Sequence, residues 1–485
     1  MEKPELLTQH KKDVQDIVDE LLKNDPSSVS KTASHLMRPK TYRSHSRGHS
    51  RAVSDRKLCR ILSFDRKLGR IWVEPYVTQE TLAQVTLPHG WVLPVSAEFK
   101  KITVGGAVMG ASLESSSHRF GQWNEAALSY ELLLGDGSTI TASKEAHPDL
   151  FWGISGSYGS LARLLSAEIS LVRASPFVWV EITTFSSIDT FIEALRGKCK
   201  EKSRPEYIEG IVFAKNDCKI ITAKMTEEPL SPVFTLKSYS SPWFHQRIAE
   251  NPTPFLMPLY DYLFRYDRGA FWMGTYALWP KLLSRFWLED IIENRSWMPR
   301  RLIEFLKSNP QSLYTTTRYP GPLFRLVAGP LMDSATLYRW LHWKRESWFE
   351  RHFVVQDFYL PEEKTADFIR YSLDTNGIRP LWICPCKGTR TPQLFSPQAQ
   401  SSELVFDVGI YGWPKEPLGG PEATQLLENQ TYAFGGKKMF YSWNYLTEEQ
   451  LWSHYPKKEY DALRSSYGAQ GVFPDFAEKV GITLP

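Results

Sequence analysis

Residues 103–121, TVGGAVMGASLESSSHRFG, gather four glycines and a serine triplet where backbone must approach something closely. Without a Cβ, Gly105, Gly106 and Gly110 can take positive φ and turn main-chain N–H groups toward a ligand, which holds a pyrophosphate without cations. Ser115, Ser116 and Ser117 add hydroxyls that can donate to phosphate or to ring oxygens. A second loop of the same character, DLFWGISGSYGS at 149–160, runs into LARLLSAEI, an apolar run that reads as helix. Either loop alone is equally well a tight turn in an α+β domain. Together they suggest a nucleotide site.

Positioning such loops requires strands on either side. Ile71 and Val73 share one face of a short strand within 69–78, and GWVLPV at 90–95 offers another. LLLGDGSTIT at 132–141 reads as a β-hairpin turning at Gly135-Asp136-Gly137. Further on, 177–184, 209–213, 219–224, 353–360, 381–384 and 404–410 alternate as strands of an antiparallel sheet. The stretch 226–345 is rich in proline and aromatics and weakly periodic, whereas 387–402 and 414–423 have the composition of surface loops. Near the start, Leu7, Val14, Ile17, Val18, Leu21 and Leu22 fall on one face of a helix that stops before Asn24-Asp25-Pro26.

A polypeptide of 485 residues has room for two lobes with their own cores. A net charge of +4 with dispersed basic residues makes no case for nucleic acid. Five cysteines without paired spacing argue against a disulfide framework, and no His, Cys or acid spacing predicts a metal site. The charged opening MEKPELLTQHKKDVQDIVDELLK predicts neither a signal peptide nor a spanning helix, and the run 269–287 is broken by Pro280, Lys281 and Arg285. The expected location is cytoplasmic, with peripheral contact at the endoplasmic reticulum membrane as an option left open by the many aromatics between 240 and 350.

In order along the sequence, Val73-Glu74-Pro75 with Val77-Thr78, LPV at 93–95, TVGG, ESSSH, the YEL and DGS hairpin, DLF, and GSL before AEI resemble the Δ24-sterol reductase family of the vanillyl-alcohol-oxidase-like flavoproteins. Tyr207-Ile208-Glu209-Gly210, Pro242-Trp243-Phe244, Val355-Gln356-Asp357, Pro380 to Pro385 and Asp407 to Gly412 extend the likeness to about residue 475. The resemblance implies an α+β fold: a two-subdomain FAD-binding (PCMH-type) domain over 1–175, an antiparallel-sheet cap or substrate domain over 176–440, and a C-terminal helical segment over 441–485. It also implies that Thr103, Val104, Gly105, Gly106, Gly110, Ser115, Ser116, Ser117, His118 and Gly121 line a non-covalent FAD, with Gly156, Gly159 and Ser160 on its other side. The implied activity is reduction of a carbon–carbon double bond in the side chain of a sterol or related terpenoid, by hydride from NADPH via FAD.

Three departures stand out. Lys100 and Lys101 occupy positions where the family carries acids. The family's His-Arg-His-Thr-Arg becomes Phe264-Arg265-Tyr266-Asp267-Arg268. Arg47-Gly48-His49-Ser50, within the basic segment 43–50, resembles the loop that attaches flavin covalently in other relatives, which names His45 and His49 as linkage candidates beside the default of an ordinary basic loop. Because an isolated alkene is a poor hydride acceptor, an acid must protonate it, and Tyr266, Asp357, Glu209 and His118 are the candidates, in that order, tuned by Arg265 or Arg268. Loss of both histidines keeps open a flavin oxidase, dehydrogenase or cyclase acting on a terpenoid or polyketide. A non-catalytic scaffold is the third option.

Overall fold

Short apolar runs bounded by turn residues build two antiparallel sheets that meet across a broad apolar layer. The computed structural model describes residues 4–23, 57–228, 232–278, 320–344, 346–389, 391, 393–398 and 403–482. The basic segment 43–50, with His45 and His49, lies outside the described residues, as does the run 269–287 from residue 279 onward.

The first seven strands are β1 (Ile61–Asp65), β2 (Arg70–Val73), β3 (Trp91–Val92), β4 (Ala127–Leu133), β5 (Thr139–Ser143), β6 (Arg163–Ser170) and β7 (Val172–Arg173). Five of them form a sheet in the order β1-β2-β6-β4-β5, and β3 pairs separately with β7. The hairpin between β4 and β5 turns where its sequence demands: Asp136 Oδ1 accepts from Ser138 N at 2.8 Å and from Ser138 Oγ at 2.7 Å, and Gly137 sits at φ +88°. LARLLSAEI corrects the sequence reading. It is not a helix but contributes β6, the middle strand, flanked by β2 and β4. A strand covered on both faces is apolar without alternation, so its periodicity resembles that of a buried helix.

The N-terminal helix Pro4–Lys23 lies on this sheet, burying Val14, Ile17 and Leu21 against Leu58, Leu133 and Leu165. Leu22, expected on the same face, is 55% exposed. A polar clamp anchors the helix as well. His10 Nδ1 lies 2.7 Å from Glu74 Oε1 and its Nε2 2.8 Å from Glu131 Oε2, and Arg60 joins Glu74 at 2.9 Å to Asp13 at 2.5 Å. Burial pulls the imidazole pKa down, but the hydrogen bonds to Glu131 and Glu74 outweigh it and lift the value to about 9.

The remaining strands are β8 (Phe177–Phe185), β9 (Tyr207–Ala214), β10 (Asp217–Thr226), β11 (Phe255–Pro258), β12 (Val354–Pro361), β13 (Leu381–Lys387), β14 (Leu404–Gly412) and β15 (Lys437–Lys438). They form one sheet in the order β11-β8-β10-β9-β13-β14-β12-β15. Period-two alternation divides its side chains. Ile208, Val212, Ile383, Phe406, Val408 and Phe358 face the helices Ile188–Lys200, Thr365–Thr375 and Gly420–Ala433. Tyr207, Ile211, Trp382, Cys384, Val405 and Tyr359 face Val92, Phe99 and Leu113 beneath the other side.

The C-terminal helices Glu448–His454, Lys457–Ser466 and Phe476–Val480 return to the core of the five-stranded sheet. Phe395 stacks on Phe476 with ring centroids 3.6 Å apart, and Leu394, Ser396 and Gln398 are buried with it. Residues 393–398 are therefore an internal strap, not the expected surface loop. Among the described residues no helix is long and apolar enough to cross a membrane.

Candidate active site

The TVGG segment is the helix Val104–Met109, capped by Thr103, whose Oγ1 accepts from Gly106 N at 3.1 Å. Gly105, Gly106 and Gly110 do not take the positive φ expected of them. Their segment's amides serve the fold: Val104 N donates to Val77 O at 2.9 Å, Gly105 N to Pro75 O at 2.8 Å, and Gly110 N to Gly106 O at 2.9 Å. A Cβ at 105 would lie 3.0 Å from Pro75 Cβ and 3.2 Å from Pro75 O, so the position is crowded by the fold itself. The left-handed positions are instead Gly121, Gly156 and Gly159, at φ +75°, +72° and +78°.

The fold brings the two glycine loops together. Gly156 N reaches Val108 O at 3.4 Å and Tyr158 N reaches Met109 O at 3.2 Å. Arg464, from the C-terminal helices, donates to Ser160 O, to Phe473 O at 2.9 Å and to Pro474 O at 3.1 Å. Nothing in the local sequence linked it to this loop. The polar groups between the loops test whether a dinucleotide suits them. Ser116 Oγ, Ser155 Oγ and the side-chain amides of Asn124 and Gln79 are buried without a hydrogen-bond partner among the described residues, a concentration of unmet donors and acceptors that a protein interior rarely keeps for itself. Ser116 also lines a cleft of about 920 Å³ with Leu93, Pro94, Arg119, Phe120 and Tyr207, and a Cβ on Gly159 would meet nothing within 4 Å. These residues fit a phosphate-bearing, many-acceptor ligand.

His118 is held by backbone: Nδ1 lies 2.9 Å from Ser115 O and Nε2 3.1 Å from Pro205 O. Burial lowers its pKa to about 4 even though both carbonyls favour the charged form. A neutral ring donates to one of them only, and neither nitrogen is left for other chemistry.

Above the serine triplet, Arg265 is wholly buried between two carboxylates. Its Nε and Nη2 donate to Glu209 at 2.9 and 2.8 Å, Nη2 also to Glu114 at 2.9 Å, and Nη1 to Tyr262 O at 3.0 Å. Tyr266 OH and Trp382 Nε1 donate to the same Glu209 oxygen at 3.1 and 2.7 Å. Burial and then the Glu209 charge push the Tyr266 phenol well above its ordinary value, so it serves as a hydrogen-bond donor and is a poor acid at neutral pH. Arg268 points elsewhere, donating to Ser238 O at 2.9 Å and to Leu236 O, with its guanidinium 4.6 Å from the centre of the Tyr239 ring.

Asp357 lies farther along the inner face, on β12. Tyr411 OH donates to its Oδ1, and Gly409 makes room for that pair, since a Cβ there would lie 2.4 Å from the tyrosine oxygen and 2.9 Å from Asp357 Oδ1. Two carboxyls close by were missed as candidates in the sequence. Asp407 opposes Tyr359 and Cys384 in the sheet register, and both its oxygens are buried without a hydrogen-bond partner among the described residues. Glu98, in the loop before TVGG, has its pKa raised to about 8 by burial and by the charges of Glu114 and Asp357. For Asp407 the strand alternation was the available signal. Glu98 had none beyond its place near the loop. Aromatic rings enclose the carboxyls: Phe271 stacks on Tyr266 at 4.2 Å and lies 4.8 Å from Tyr411 and 5.2 Å from Trp382.

Comparison with known proteins agrees with this arrangement. Residues 8–143 match the family described as FAD binding domain. The Delta(24)-sterol reductase of Rattus norvegicus is 28% identical over 428 residues, 87% of this protein and 76% of its own length. The human protein of that name is 28% identical over 430 residues, again 87% and 76%. The Arabidopsis thaliana one is 24% identical over 447 residues, 85% of this protein and 73% of its own length. An FAD-binding lobe of α+β build, joined to a second antiparallel sheet, marks this protein as an FAD-dependent oxidoreductase that is similar along most of its length to the Delta(24)-sterol reductases.

Proposed function

We propose that this protein reduces an isolated C=C bond in the side chain of a sterol or related terpenoid, with NADPH as the hydride source. The observation that carries the reading is the inner face of the eight-stranded sheet, where Glu209, Asp357 and Asp407 stand among aromatic rings over the serine loop of the FAD-binding lobe. In this reading residues 1–175 bind FAD, 176–440 form the cap over the substrate and 441–485 brace the flavin side. Thr103 to Gly106, Gly110, Ser115 to His118 and Gly121 face the cofactor from one loop, and Gly156, Gly159 and Ser160 face it from the other. Bound FAD supplies the two-electron redox chemistry.

The protein's own residues supply the rest. Phe271, Tyr411, Trp382 and Tyr266 offer an apolar wall suited to a hydrocarbon skeleton and exclude water from it. Arg265 holds Glu114 and Glu209 in place and is a positioning residue. A cap-face carboxyl protonates the alkene carbon that does not receive hydride. Because the substrate class partitions into lipid, peripheral contact with a membrane belongs to the same proposal.

Anaerobic mixing of the yellow protein with NADPH tests it. Bleaching of the flavin, followed by reoxidation on adding a side-chain-unsaturated sterol with mass-spectrometric detection of the saturated product, is the expected result. Bleaching by a terpenoid without NADPH would instead establish an oxidase or dehydrogenase, and a protein that takes up no flavin would end the proposal.

A further inference from the structure

The inner face holds more acid than Arg265 can balance. That guanidinium is spent on Glu114 and Glu209, which leaves Glu98, Asp357 and Asp407 in a layer of aromatic rings. Asp357 and Asp407 stand on adjacent strands. In the pairing of β12 with β14, Asp407 opposes Tyr359 and Asp357 opposes Gly409, so the two carboxyls are diagonal neighbours on one face, at a spacing of about 7 Å. Both are buried, Asp407 completely.

Their surroundings differ in one respect. Asp357 accepts from Tyr411 OH and from Tyr441, donors that favour a carboxylate. Asp407 has none among the described residues. Around it stand Asp357 and Tyr359 on β12, Cys384 and Cys386 on β13, Tyr411 on its own strand, Tyr441, and Glu98 from the loop beneath. No cation stands among them, and the lysine of the same register row, Lys437, lies on β15 beyond Tyr359. Two neighbouring buried carboxyls cannot both ionise, and the pair titrates as a unit.

We infer that Asp357 and Asp407 form a dyad carrying a single proton, with Asp407 as the member that holds it and delivers it to the alkene. The inference rests on the reductase reading above. In the step, the O–H bond of Asp407 breaks and a C–H bond forms at one alkene carbon, while the other carbon takes a hydride equivalent from a reduced flavin, which is thereby oxidised. Asp407 is left as a carboxylate and regains its proton from solvent by way of Glu98, the partly exposed acid of the cluster. Tyr411 and Gly409 are positioning residues, the first by its hydrogen bond and the second by the space it leaves.

The experiment compares Asp407→Asn, Asp357→Asn and Tyr411→Phe in the full-length, FAD-loaded protein. Infrared difference spectra at neutral pH are expected to contain protonated-carboxyl C=O stretches, one of which disappears in Asp407→Asn while that of Glu98 remains, a readout that needs no substrate. In Asp357→Asn, where no second charge opposes ionisation of Asp407, the same band should weaken. Bleaching by NADPH should be unchanged in Asp407→Asn, while reoxidation by a side-chain-unsaturated sterol should slow by about 10²-fold or more, the usual contribution of a general acid. In Tyr411→Phe the alkaline limb of the reoxidation step should move to higher pH, because the dyad's anion has lost a donor. Protonated-carboxyl stretches that are all unchanged in Asp407→Asn, reoxidation of that variant at the parent rate, or an unmoved pH profile in Tyr411→Phe would each overturn the dyad. If the parent reduces no alkene yet the band behaves as expected, the substrate reading falls and the dyad stands.

Discussion

Arg265→Met retains much of the volume of the buried side chain but removes the charge between Glu114 and Glu209. Breaking a buried ion pair from one side costs about 3–5 kcal/mol, because the charge left behind is uncompensated. The size can be bounded another way. A glutamic acid that stays neutral at pH 7 is held about 2.7 pH units from its reference value of about 4.3, and at about 1.36 kcal/mol per unit that amounts to about 3.7 kcal/mol. At pH 5 the same carboxyl costs about 1 kcal/mol. Burial already raises the Glu114 pKa against the pull of Arg265, and loss of the guanidinium raises it further. The folded state then binds more protons than the unfolded one, so stability falls as pH rises. The expected deficit of the variant against its parent is therefore about 1 kcal/mol at pH 5 and about 4 kcal/mol at pH 7. Urea unfolding of the FAD-loaded protein at the two pH values, followed by tryptophan fluorescence, measures it. An equal deficit at both, or one below about 1 kcal/mol at pH 7, refutes the view that Arg265 offsets the cost of burying these carboxyls. Arg265→Lys keeps the charge and loses the planar fork, and should fall between the two.

His10→Gln should loosen the N-terminal helix. With a folded pKa near 9 against an unfolded value near 6.5, the imidazolium's contribution is complete below about pH 6.5 and is lost as pH rises through about 9. The deficit, about 2 kcal/mol at pH 6 for charge-assisted hydrogen bonds, should shrink on that alkaline side when unfolding midpoints are compared. Gly156→Ala and Gly159→Ala both place a methyl group at positive φ, at a cost of about 1–2 kcal/mol. Only at 156 does the new Cβ also meet the Phe395 carbonyl, at 3.1 Å, so Gly156→Ala should show the larger drop in thermal midpoint, while Gly159→Ala should chiefly weaken flavin retention in a gel-filtration assay.

Much of the second sheet was legible because strand alternation is a local signal. FVWVEITT, EGIVF, KIITAK, FVVQDFYL and LVFDVGI all became strands within a few residues of their expected bounds, and the strand pairing then sets Glu209 and Asp357 on a common face. Where burial on both sides erased the period, the reading failed, as at β6. The glycines misled for a related reason. Composition shows that glycines cluster but not what stands over each, and at Gly105 the neighbour that a Cβ would crowd is Pro75, inside the fold. His10, Phe395 and Arg464 were hidden because their partners, Glu74, Phe476 and Ser160, are set by tertiary packing and lie 64, 81 and 304 residues away.

The fold also joins two departures that looked independent in the sequence. Lys100 with Lys101, and Phe264 to Arg268, are places where the sequence departs from the pattern it resembles, yet the two segments touch. Lys100 N donates to Asp267 Oδ1 at 3.1 Å, and the Lys100 ammonium stands 5.6 Å from the centre of the Tyr260 ring and 6.0 Å from that of Phe264. Lys101 Nζ pairs with Glu80 at 2.8 Å, the residue that also accepts from Tyr260 OH. Basic charge gained on the loop is therefore met by Asp267 and Glu80 and by aromatic faces in the cap, so the seam between loop and cap stays close to neutral. The exchange also leaves the deeper layer intact, since Tyr266 still donates to Glu209 and Arg265 still spans Glu209 and Glu114. A histidine at 266 would add a titrating cation beside those carboxylates and the permanently charged Arg265, whereas a tyrosine adds only a donor. The cap face of this protein therefore keeps its excess of carboxyls over cations, the condition under which one of them must carry a proton.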